Sequence, residues 1–148
     1  MTTKDALNNA LKDSLKNGDD VQKNTVRMAL AAIKQIEIDK RIVLDETGIS
    51  AVLQKEVKSR RESIVDAQKA NRPETIATLE KEISILETFL PKQMNKEELV
   101  SIIKKVILEV DAKNPADMGK VMKLVIPLVQ GRASGDSISL AVREILTN

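Results

Sequence analysis

Side chains able to do acid–base or metal chemistry at neutral pH are scarce in this sequence. It has no histidine and no cysteine. That removes the commonest general base and metal ligand and excludes disulfides and thiolate metal sites. Carboxylates, lysines and hydroxyls remain. The obvious carboxylate pairs, Glu80/Glu82 and Glu97/Glu98, stand two and one residues apart, and on a helix such neighbours do not face one point. No phosphate-loop, GxGxxG, GxSxG or HExxH pattern occurs. The sequence therefore predicts no catalytic centre, no cofactor and no metal.

What it does carry is chemistry for holding anions. In Asp117-Met118-Gly119-Lys120-Val121-Met122-Lys123, Lys120 and Lys123 stand three apart, side by side at the start of a helix, where free N–H groups favour phosphate. Gly119 weakens that helix by about 1 kcal/mol relative to alanine, so it points to a close approach by a neighbouring helix or by a ligand backbone. Arg132, in the glycine-flanked turn Gly131-Arg132-Ala133-Ser134-Gly135, is a second candidate phosphate contact, and Lys104 and Lys105 extend the set. Lys23, Arg27, Lys34 and Arg41 fall within about 40° of one another on a helix, a stripe fit for phosphates, for an acidic partner, or for a solvated face. Arg60 lies on the apolar stripe between Val57 and Ile64. A buried arginine needs a partner: Glu56, Glu80, Glu82 or Glu87, or else a bound anion.

Charge and composition limit how such contacts could be used. The 148 residues carry a net charge of +2. The first 90 balance at zero, and the excess falls after residue 90, far from the footprint of a strongly basic nucleic-acid binder. Phe89 is the single aromatic residue, so bases cannot be gripped by stacking platforms. Any RNA would be read through shape and phosphates. No apolar run approaches the roughly 20 residues of a membrane span, and the N-terminal stretch has no apolar signal core. These features predict a cytoplasmic chain that does not engage a membrane.

The elements that position these residues are helical throughout. Leu7, Leu11 and Leu15 mark a first helix stopped by Gly18. Asp19 or Asp20 caps a second, with Val26, Ala29, Leu30, Ile33 and Ile36 inward, running to about Arg41. Ile42, Val43 and Leu44 read as an apolar connection tucked against the core. A third helix follows Asp45–Gly48 and a fourth starts at Pro73. Leu90-Pro91 is a break, which predicts domains at 1–91 and 92–148. Asn95 with Glu98 reads as a capping box for a fifth helix, Asn114-Pro115 starts a sixth that Pro127 should kink or end, and Asp136 or Ser137 caps a seventh. The expected fold is all-α: a four-helix N-terminal lobe and a small three-helix C-terminal lobe.

The stretches VRMALAAIKQIEIDKR, LQKEVKSRRESI, EKEISILETFLPKQM, DMGKVMK and GRASGD resemble, in order and over nearly the whole chain, the GatB/YqeY family of bacterial proteins. The C-terminal lobe is similar to the tail domain of GatB, a subunit of the tRNA-dependent Asp/Glu amidotransferase, where that domain contacts tRNA. Related segments aid tRNA binding in some glutaminyl-tRNA synthetases. The resemblance implies tRNA recognition without catalysis, because the cradle and glutaminase centre of the amidotransferase have no counterpart here. Combined with the residues singled out above, it leads to the expectation that Lys120, Lys123, Arg132, Gly119, Lys104 and Lys105 are the RNA contacts. A module binding a translation enzyme is the alternative, and glutamine-dependent amide transfer is a third reading that the residues oppose.

Overall fold

The computed structural model describes residues 1–147, and among these every regular element is helical. The chain divides into two compact units, one over residues 1–90 and the other from Pro91 onward.

The first unit holds α1 (Thr3–Asn17), α2 (Asp20–Lys40), α3 (Glu46–Lys69) and α4 (Pro73–Glu87). Local signals set their ends. Thr2 and Asp5 form a reciprocal capping box at α1. Gly18, at φ 69°, ends it in the left-handed region. Asp19 and Asp45 cap α2 and α3 through the N–H groups of Gln22 and Gly48. The core is built from Leu7, Val26, Ala29, Ile33, Ile49, Leu53, Val57, Ile83 and Leu86.

Two expectations about this unit are corrected. Leu15 is 56% exposed, and Ser14 is buried in its place. A repeat of four drifts about 40° per step against the 3.6-residue turn, so Ser14, seven residues after Leu7, stays on the inner face while Leu15 has rotated off it. Ser14 is satisfied there by the Ala10 carbonyl and by Gln22. The 42–44 connection is not wholly tucked in: Val43 is 84% exposed and only Leu44 packs on the core.

The second unit holds α5 (Lys96–Val110), a short 3-10 turn (Pro115–Asp117), α6 (Met118–Val129) and α7 (Gly135–Thr147). Its core comprises Leu99, Ile103, Val106, Val121, Val125, Val129, Ile138, Ala141, Val142 and Leu146. Asn95 caps α5 by accepting the Glu98 N–H at 2.8 Å. α6 runs on through Pro127 to Val129 rather than ending at the proline. Both Pro127 and Lys123, whose carbonyl loses its donor, face solvent, where water can replace the missing bond. α7 is capped by Ser134, not by Asp136 or Ser137: the Ser134 hydroxyl accepts the Ser137 N–H at 3.1 Å.

No helix among the described residues is long and apolar enough to cross a membrane.

Candidate nucleic-acid interface

The start of α6 is fixed by side chains on the preceding turn. Asn114 accepts the Ala116 N–H at 3.0 Å, and Asp117 accepts the Lys113 N–H at 3.0 Å. The Asp117 carboxyl is held below its ordinary range, first by that Lys113 N–H and further by the nearby Lys120 charge. The 3-10 turn also satisfies the N–H groups of Asp117 and Met118. The helix end therefore offers fewer free donors than its sequence suggests, and its hold on an anion rests on the lysines.

α6 buries Val121, Val125 and Val129. The 3.6-residue turn puts Lys120, Lys123 and Gly119 on the opposite side, and all three are exposed. Neither lysine takes part in an ion pair among the described residues. A Cβ on Gly119 would meet nothing within 4 Å. Close packing of a neighbouring helix is thus not why this position is glycine. Lys104 and Lys105 are exposed on α5, turned away from Leu99, Ile103 and Val106, and about 100° apart around the axis. They share a hydrophobic core with α6 but stand on a separate helix.

Arg132 is not the exposed, free cation that its glycine-flanked turn suggested. Its Nε donates to the Lys92 carbonyl at 2.8 Å and its Nη2 to Glu98 at 3.1 Å. Its own carbonyl accepts the Met94 N–H at 2.8 Å. The side chain fastens residues 92–98 to the turn before α7. Nothing short-range in the sequence announces a contact across some forty positions.

In the first unit, Lys23 pairs with Asp20 at 3.2 Å, while Arg27, Lys34 and Arg41 are exposed and in no ion pair among the described residues. Arg60 is 6% exposed. Its Nη1 donates to the Glu56 carboxylate at 2.9 Å and to the Glu56 carbonyl at 3.1 Å, and its Nε lies 3.8 Å from Glu82. Two carboxylates already balance this guanidinium, so it is a structural ion pair rather than an anion site. A shallow depression lined by Met1, Thr2, Thr3, Ala6, Glu46, Thr88 and Phe89 holds no cluster of titratable groups. Among the described residues, no group of carboxylates could hold a metal ion.

The chain is 34% identical over 85 residues to "Altered inheritance of mitochondria protein 41, mitochondrial" of the yeast Vanderwaltozyma polyspora, a stretch covering 57% of this chain and 46% of that protein. It is 29% identical over 113 residues to the protein of the same name from Lachancea thermotolerans, covering 74% of this chain and 60% of that one. The chain thus spans roughly half the length of these relatives. The family model for Yqey-like proteins matches residues 4–146. On that near-complete match, the chain belongs to the YqeY-like family.

Proposed function

We propose that this protein is a non-catalytic accessory of translation that docks on the phosphate backbone of tRNA through the outer face of α6. Lys120 and Lys123 are the central contacts, Lys104 and Lys105 extend them, and Gly119 lets the RNA backbone come close. The observation that carries this reading is the open face of α6: two neighbouring lysines in no ion pair among the described residues, beside a glycine whose added Cβ would meet nothing within 4 Å. The resemblance of this unit to the tRNA-contacting tail of an amidotransferase subunit supports the choice of RNA, and a cytoplasmic setting goes with it. Arg132 is engaged with Lys92 and Glu98, so it is left out of the contact set.

With two to four phosphates neutralised at roughly 0.7–0.9 each, tRNA affinity should fall with salt with a log–log slope between about −1.4 and −3.6. Lys120→Ala should lower that slope by about one and weaken different tRNAs alike, because phosphate contacts position without reading sequence. Gly119→Ala should raise helix stability and lower RNA affinity. A slope unchanged in Lys120→Ala, or full tRNA affinity in Gly119→Ala, would remove α6 from the interface. Incubation with glutamine, ATP and misacylated tRNA should release neither glutamate nor ADP. Turnover that persists through a second, orthogonal purification would overturn the non-catalytic part.

A further inference from the structure

α2 has a second face that the first unit leaves in solvent. Its inner side buries Val26, Ala29 and Ile33. On its outer side Asn24, Met28, Ala31, Gln35 and Ile38 are all exposed, Ile38 by 60% and Met28 by 54% with its Sδ accepting Arg60 Nη2 of α3 at 3.7 Å. Their spacing is four, three, four, three, the interval at which one helix offers a continuous seam to another. Ile42, past the helix end, is 46% exposed. Arg27, Lys34 and Arg41 stand immediately before Met28, Gln35 and Ile42. Arg27 and Lys34 stand on one flank of the seam about 10.5 Å apart along the helix, and Arg41, the left-handed C-cap at φ 55°, follows the last helical residue. Like Lys12, Lys16 and Lys55 of the same unit, these three are in no ion pair among the described residues; what sets them apart is their place beside the seam. On the other flank Asp39 is taken up by Gln35 at 2.8 Å.

We propose that the outer face of α2 is a docking seam for an amphipathic helix of a protein partner whose flank is acidic at every seventh residue. Arg27 and Lys34 repeat at the heptad interval, so carboxylates seven apart on the partner would meet both helical cations, with Arg41 adding positive charge at the helix end. A second copy of this chain is a poor occupant in the antiparallel arrangement, because such a pair sets each basic row against the other. In the parallel arrangement only Asp39 is available to answer the row. RNA would use the cations and leave Met28, Ala31 and Ile38 idle. The polar seam residues Asn24 and Gln35 fix register at a cost in strength, and the seam covers only about two heptads. The complex should therefore be of micromolar order, with its specificity set by charge. This surface lies on the unit without the proposed RNA contacts and does not depend on that reading.

The test uses the full chain and three fluorescent probes: a three-heptad helical peptide with Leu on its seam and Glu on its flanks, the same peptide with Lys flanks, and a tRNA. Anisotropy at low salt should show the acidic peptide binding at least about tenfold tighter than the basic one. The Arg27→Glu/Lys34→Glu variant should invert that preference. Ile38→Ser should weaken the acidic peptide about fivefold with helix content unchanged by circular dichroism, since Ile38 is 60% exposed. The proposal is overturned if the peptides bind equally, if neither binds, or if charge reversal abolishes tRNA binding while leaving peptide binding as it was.

Discussion

Arg60 shows what one residue's position decides. It occupies the inner side of α3, with Glu56 one turn before it on the same helix and Glu82 reaching it from α4. Its Nε is the one buried side-chain polar atom among the described residues without a hydrogen bond. Removing the guanidinium strands two carboxylates that are 20% and 18% exposed. Water can partly solvate them, so Arg60→Ala should cost about 2–3 kcal/mol in a denaturant melt, less than the 3–5 of a fully buried pair. A loss below about 0.5 kcal/mol would mean that the pair contributes nothing to the fold. Glycine positions divide on the same physical ground. Alanine at Gly119 meets open space and should stabilise by about 0.5–1 kcal/mol. Alanine at Gly48 would put its Cβ 2.9 Å from Leu44 Cδ2 and should lose that gain by displacing a packed side chain. Thermal melts of the two variants should therefore move apart. That Arg60 is buried was legible from its phase between Val57 and Ile64. Which of four glutamates answers it was not, because the choice depends on how α4 packs.

At the scale of elements, Glu37 joins three pieces of chain. Its carboxylate receives Lys4 Nζ of α1 at 3.0 Å and the Leu44 N–H of the connection to α3 at 2.8 Å. The Leu44 N–H, and then Lys4, hold it below the ordinary glutamate range. A depressed carboxylate contributes stability that is complete above its unfolded value, ~4.3, and is lost as pH falls through the folded one. The melting temperature should therefore drop as pH is taken below about 4. Glu37→Gln should be less stable at neutral pH and should show a shallower acid slope. If the two acid slopes coincide, the contacts are not sustained in solution. Helix number and most ends were legible from apolar period and caps, which are local. What escaped the sequence was decided by packing or by competition among equivalent neighbours. Leu15 rotates off a drifting stripe, Val43 is left outside while Leu44 is taken in, and Ser134 caps α7 ahead of two other candidates. That the lysines of α6 stand exposed on its outer face was legible for the same local reason as the helix. The engagement of Arg132 was not, since its partners lie far away in sequence.

At the scale of the molecule, the two hydrophobic clusters share no residue, so each unit carries its own source of stability. The second is small, close to the size below which a single core struggles, and it has no disulfide to add. Its N-terminal approach then matters, and Arg132 is what secures it, through the Lys92 carbonyl, the Met94 N–H and Glu98. Trypsin can cut after Lys92, but only if residues around that bond leave these hydrogen bonds and extend, and cleavage then follows the population of the opened segment. Replacing Arg132 by alanine removes two side-chain hydrogen bonds, one of them to a charged group, at a partly exposed site. Roughly 1 kcal/mol is a fair allowance once screening is counted. Cleavage at Lys92 should rise about fivefold in Arg132→Ala, while cleavage after the exposed Lys69 of the first unit stays as it was. A variant that also loses tRNA affinity while Lys92 cleavage is unchanged would return Arg132 to the phosphate contacts and take it out of the fold.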